Sequence, residues 1–173
     1  ISQLAFIFLG LSSGTMIGVA GGLLYILMHS LAKAGLFLCA GIVEHSTHTK
    51  DIRQMSGLSK RLPVTCVAFA LCAFSVMGIP PFGGFFSKYM VLDGSLVAGH
   101  TWITAVFIIG AVMTVIYLLR LFIKVFFGEL SHPDIKEGSW EMVVLGVLSL
   151  LAGIFINIPS QLTTFIVESL GRW

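Results

Sequence analysis

The sequence predicts an all-α protein: a polytopic transmembrane helix bundle of about five hydrophobic segments, one of them broken. Three observations carry this. Hydrophobic residues make up 57% of the chain and charged residues 10%, with a mean hydropathy of +1.00. Several apolar runs reach the length of about 20 residues that crosses a hydrocarbon core about 30 Å thick. One run, from Val64 to Leu92, is interrupted by Gly78, Pro80, Pro81, Gly83 and Gly84. The prolines remove backbone donors and clash with the preceding turn, so the helix must break or kink there. Residues 1–173 read as a single transmembrane domain. A net charge of +2 gives no argument for nucleic acid as a partner. Cys39, Cys66 and Cys72 lie inside apolar segments without CxxC spacing and read as small buried hydrophobes, implying neither a disulfide framework nor zinc.

Ile1–Leu11 is apolar, and eleven helical residues cover only about 16 Å. It has no basic n-region or small-residue cleavage site and does not read as a signal peptide. It is expected to be the tail of a longer helix, so that the chain is a fragment of a larger protein or a partner completes the bundle. Ser12-Ser13-Gly14 is a short turn. The second helix is expected over Met16–Val43, about 28 residues, with Gly18, Gly21 and Gly22 permitting close helix approach. Near its middle, His29 and Lys33 are spaced i,i+4 and share a face. A packing histidine and a polar track are the two readings of that pair.

Glu44–Pro63 is the first polar loop. It carries Lys50, Arg53, Lys60 and Arg61 against Glu44 and Asp51. His45 and His48 have a spacing that could hold a metal, but no third or fourth ligand is nearby, so they read as solvated and no metal site is assigned. The third span is the broken one. Beyond the break sits Lys88, a lone charge among apolar side chains. An intramembrane lysine costs about 2.5–3.5 kcal/mol on the insertion scale and is a functional candidate by default. A broken helix with an ionisable residue beside it points to an ion-handling site. The competing reading is a proline kink with Lys88 snorkelling to one surface.

Asp93–His100 is expected to be a short turn. The fourth span runs over about Thr101–Phe127. Its last third carries Arg120 and Lys124, spaced i,i+4, with Tyr117 one turn earlier. Basic residues near a helix end snorkel to the headgroups, and this bears more on Lys124 than on the deeper Arg120; both are secondary candidates. Gly128–Glu141 is the second polar loop. The fifth span, about Met142–Val167, is interrupted by Asn157 and Pro159, with a restart expected at Ser160 or Gln161. Trp173 reads as an interfacial anchor. Seven basic residues, in loop 44–63 plus Arg120, Lys124 and Lys136, fall on one side, against Arg172 on the other. That bias puts loops 44–63 and 128–141 on the cytoplasmic side.

Four segments occur in a specific order: I-S-Q-L-A-F (1–6), M-H-S-L-A-K-A-G-L-F-L-C-A-G (28–41), H-T-K-D-I-R-Q-M-S-G-L (48–58) and G-I-P-P-F-G-G-F-F-S-K (78–88). In that order they resemble the proton-translocating antiporter-like membrane subunits of respiratory complex I, membrane-bound hydrogenases and Mrp-type Na+/H+ antiporters. The resemblance covers residues 1–127 and is to the second half of an inverted-repeat antiporter fold, each repeat holding a broken helix. It implies that His29 and Lys33 lie on a central hydrophilic axis. It also implies that Lys88 is tied to an outward half-channel. The first repeat, with the family's glutamate–lysine pair, has no counterpart in this chain, which would therefore carry at most the distal half of a pathway. The implied partners are other membrane subunits of a multi-subunit complex, the lipid bilayer and H+, with Na+ as the alternative. The implied location is a cell inner (plasma) membrane or an energy-transducing organelle membrane.

The expected mechanism is a proton relay through Lys33, Lys88 and His29. Burial disfavours a charged ammonium, and a charge on one lysine raises the cost of a charge on the next. Lys88, just after the break, is expected near the positive end of a new half-helix. Two other readings stand beside this one: a non-conducting structural or docking module, and a Na+ or small-solute carrier. For the carrier, the nearest acid to the break is Asp93. No CxxC set, GxGxxG or P-loop is present, so no cofactor is assigned to this chain, and any redox chemistry of a parent oxidoreductase would lie in other subunits.

Overall fold

The computed structural model describes residues 2–131 and 141–171. Their order is α1 (Ser2–Ser12), α2 (Met16–Thr47), two 3-10 turns (Ile52–Gln54 and Leu58–Lys60), α3 (Pro63–Met77), α4 (Gly83–Val97), α5 (Thr101–Phe126), α6 (Glu141–Ile154) and α7 (Asn157–Leu170). Among the described residues there is no strand. Two helices among the described residues, α2 and α5, are each long and apolar enough to cross a membrane, and the bent pair α6–α7 makes a third crossing if taken as one span. The chain is an integral membrane protein. The anchor Trp173, together with Pro133, Lys136 and Arg172, lies outside the described residues.

The hub of the bundle is α2, which packs on α1, α3, α4, α6 and α7. Its start is fixed by Thr15, whose hydroxyl accepts the Gly18 N–H at 3.2 Å. Small residues then let neighbours approach: a Cβ on Gly94 of α4 would overlap the backbone of Gly18. This explains one departure from expectation. Asp93–Val97 is helix rather than turn, because Gly94 serves as a packing surface, and the chain turns only after Val97, with Gly99 at φ +78°.

The first polar loop also begins later than expected, since α2 continues through Glu44–Thr47. The Thr47 hydroxyl donates back to the Val43 carbonyl at 2.8 Å, and no residue breaks the ladder until His48. His48 adopts the left-handed conformation, and its N–H donates to the Glu44 carbonyl. The His45 and His48 rings lie 6.2 Å apart. Among the described residues no group of three or more His, Cys, Asp or Glu side chains converges. Glu44 pairs with Lys50 at 3.2 Å on the exposed surface. The first polar loop meets the chain just after α5: the Gly57 N–H donates to the Phe127 carbonyl, and the Ser131 N–H to the Ser56 carbonyl, each at 3.2 Å. Beneath them Leu58, Leu62 and Phe126 form an apolar floor.

The last predicted span is two helices set 74° apart. The bend falls at Phe155–Ile156, earlier than the expected restart, and Pro159 stands in the first turn of α7, where its missing N–H costs nothing. α6 packs on α2, α3 and α4. Ser149 donates to the Ser75 hydroxyl at 2.6 Å, and a Cβ on Gly153 would overlap the Pro81 carbonyl.

Candidate functional site

The site is built where α3 stops. Pro63 opens that helix with its φ already set. Gly78 closes it at φ +80°, its N–H donating to the carbonyls of Phe74 and Ser75, while the Ile79 N–H also reaches Phe74. This cap uses the carbonyls of the preceding turn and leaves those of Val76 and Met77 without helical partners. Pro80 and Pro81, joined by a cis peptide bond, carry the chain round without supplying an N–H. Gly83 then opens α4. Gly84 lies so close to α3 that a Cβ there would overlap the Ser75 carbonyl oxygen.

Lys88 bridges the two half-helices. It is 6% exposed. Its Nζ donates to the Val76 carbonyl at 2.7 Å and to the Met77 carbonyl at 3.2 Å. Two hydrogen bonds to a charged group contribute about 1.5–3 kcal/mol each, enough to offset an insertion cost of about 2.5–3.5 kcal/mol. The expectation that Lys88 sits in the field of a positive helix end needs correction. It is the sixth residue of α4, past the first turn, and its ammonium meets the carbonyl end of α3, whose partial charge is negative. The lysine stem passes Gly78 so closely that a Cβ there would lie 2.9 Å from Lys88 Cδ.

The other side of the ammonium is aromatic. Nζ lies 5.5 Å from the centroid of the Phe6 ring and 5.9 Å from that of Tyr25, within the range of cation–π attraction. The Tyr25 hydroxyl donates to Gln3 Oε1. Gln3 Nε2 donates in turn to Thr114 Oγ1 at 2.9 Å, and Thr114 donates to the Gly110 carbonyl at 2.8 Å. Tyr25, Gln3 and Thr114 are all buried. Sequence reasoning missed this network. Two of its members carried a signal: Gln3 is a long polar side chain inside an apolar run, and Tyr25 precedes His29 by one helical turn. Thr114 carried none.

The Tyr25 and His29 rings meet edge-on with centroids 6.0 Å apart. His29 is half-buried, and its Nδ1 is buried without a hydrogen-bond partner among the described residues. Lys33 does not join the buried set in this chain. It is exposed, its Nζ 5.5 Å from the ring of Phe37. The reason is helical phase. Each i+4 step advances about 40° around an axis of 3.6 residues per turn, so Tyr25 is buried, His29 lies at the boundary and Lys33 lies outside. The buried line of α2 instead follows Tyr25, Met28, Ala32, Gly35 and Cys39. Arg120 and Lys124 are also exposed, in a surface groove with Ile116, Leu119 and Ile123, while Thr114 and Leu118 occupy the buried face of α5. The structure thus brings Lys88, Tyr25 and His29 together and leaves Lys33, Arg120 and Lys124 at the surface.

Comparison with known proteins agrees with this architecture. A NADH-quinone oxidoreductase subunit L of Mycobacterium tuberculosis is 33% identical over 182 residues, covering 99% of this chain and 29% of that protein. A Na(+)/H(+) antiporter subunit of Alkalihalophilus pseudofirmus is 36% identical over 134 residues, covering 78% of this chain and 27% of its own length. The chain therefore spans less than a third of these relatives. In the respiratory complex I of Thermus thermophilus, one chain superposes with a TM-score of 0.84 at 27% identity, covering 98% of this chain and 38% of that one. Residues 1–114, from α1 through the site and into α5, match the family described as NADH:quinone oxidoreductase/Mrp antiporter, TM, and to that family the chain belongs.

Proposed function

We propose that this chain is the distal part of a proton-translocating antiporter-like subunit in a multi-subunit membrane complex, and that Lys88 is its proton carrier. The observation that carries the reading is the coordination of Lys88. A buried ammonium is held by two backbone carbonyls and two aromatic rings, all neutral groups. Among the described residues Lys88 forms no ion pair. A carboxylate partner would lock its charge in place, whereas carbonyls and rings permit both the charged and the neutral amine. This separates a carrier from a scaffold, for which a lysine sealed against an acid is the expected device. It also favours H+ over Na+: the carbonyls that a metal cation would need at the break are taken by Nζ.

His29, one ring beyond Tyr25, is the next station, with Lys33 reached from the surface side of α2. The remaining stations belong to the rest of a longer subunit or to neighbouring membrane subunits. Loops 44–63 and 128–141 face the cytoplasm in this reading, and Lys88 serves the outward route. Redox chemistry, in a parent complex that has any, is assigned to other subunits, and no cofactor is assigned here. Residues 1–173 act as one transmembrane unit, part of a second repeat.

The test is replacement of Lys88 in the assembled complex. Lys88→Ala is expected to abolish proton pumping while the complex still assembles. Lys88→Arg is expected to abolish it too, because a guanidinium keeps its positive charge but does not release its proton. Normal pumping in either assembled variant would overturn the assignment.

A further inference from the structure

Lys88 and His29 have a side chain in common, the ring of Tyr25. It packs on the Lys88 ammonium on one side and edge-on against the His29 imidazole on another. The Tyr25 hydroxyl does not satisfy His29; it donates to Gln3. His29 Nδ1 is buried and has no hydrogen-bond partner among the described residues. The hydrogen bond that diverts the hydroxyl is itself tied across the bundle, from Gln3 on α1 to Thr114 on α5.

We propose that Tyr25 is a positioning residue that gates proton passage between Lys88 Nζ and His29 Nδ1, and that the Gln3–Thr114 pair is the latch holding the gate shut. With the latch made, an aromatic ring fills the space between the two stations. With it released, the tyrosine hydroxyl is free to serve His29, and the ring is free to turn from the ammonium. The latch joins α1, α2 and α5, so a shift of any one of these helices against the others reaches the gate. The inference rests on Lys88 being the carrier.

The experiment measures passive proton flux per assembled complex in vesicles, under an imposed K+ diffusion potential and with a pH-sensitive dye inside. Tyr25→Phe keeps the ring and deletes the hydroxyl by which the Gln3–Thr114 latch holds it. It is expected to raise passive flux about fivefold, the equivalent of one hydrogen bond worth about 1 kcal/mol. Gln3→Leu and the near-isosteric Thr114→Val act on the same latch and are expected to raise flux similarly. The double variant Gln3→Leu/Tyr25→Phe should conduct no more than either single one, because one bond cannot be lost twice. Tyr25→Ala removes the ring as well and should leak most. Adding Lys88→Ala to Tyr25→Phe should return flux to the wild-type level. Wild-type flux per complex in Tyr25→Phe and Thr114→Val, whatever their assembled amounts, would overturn the gate, as would additive effects in the double variant. If Lys88→Ala alone loses pumping while these variants stay tight, the gate fails and the carrier stands. A leak that survives Lys88→Ala overturns both.

Discussion

Gly78→Ala perturbs the break in two separable ways. The residue sits at φ +80°, where a side chain costs about 1–2 kcal/mol. In addition, the new methyl would stand 2.9 Å from Lys88 Cδ, closer than carbon atoms pack. The lysine must swing aside and give up at least one carbonyl, a loss of about 1.5–3 kcal/mol for a charged donor. The total is about 2.5–5 kcal/mol. Gly99 supplies the control. It has nearly the same φ, +78°, but nothing within 4 Å of a Cβ, so Gly99→Ala should show the backbone strain alone. The assay is the midpoint of heat-induced loss of the folded subunit from the solubilised complex, together with its pumping rate. Gly78→Ala is expected to melt well below Gly99→Ala and to pump poorly, while Gly99→Ala pumps normally. In a Lys88→Ala background the obstructing stem is gone, and the cost of Gly78→Ala should fall to that of Gly99→Ala. Equal midpoints for the two alanine variants in the wild-type background would refute the claim that Gly78 makes room for the lysine.

Gly94→Val would drive its branched side chain into the backbone of Gly18; neither helix can yield there, so the subunit should be missing from membranes, and normal abundance on a blot would count against the α2–α4 seam. Arg120→Gln and Lys124→Ala alter exposed side chains on the outer face of α5. Each should shift stability by less than about 0.5 kcal/mol and leave pumping intact, in contrast to Lys88→Ala; loss of pumping would bring these residues back into the pathway.

Much of this arrangement was legible in the residues. The apolar runs announce a membrane bundle because lipid suits them, and the double proline and Lys88 announce a break in it, because each states a local conflict that bare lipid does not tolerate. Orientation of a helix about its own axis was less legible. The spacing of His29 and Lys33 shows that they share a face, but not that this face lies at the edge of the buried surface. That depends on which neighbours cover α2, and only the glycine contacts with α4 and the packing of α6 decide it. Gly94 misled for a related reason: the residue that ends helices also lets them touch. The Gln3–Tyr25–Thr114 network joins residues over a hundred positions apart, a separation at which local pattern carries no information. The dipole argument for Lys88 failed because the side chain is long enough to leave its own helix and ask for solvation from the previous one.

The stretch after residue 127 lies beyond the family resemblance, yet α6 lies across the prolines, with Gly153 against Pro81 and Ser149 bonded to Ser75. Opened peptide groups facing hydrocarbon would each cost several kcal/mol. This helix is therefore upholstery over bare springs: it keeps acyl chains off an unwound backbone that must stay hydrated or paired. Evolution can redecorate its outer surface freely, but thickening the inner one at Gly153 would lift the cover and let oil into the hinge.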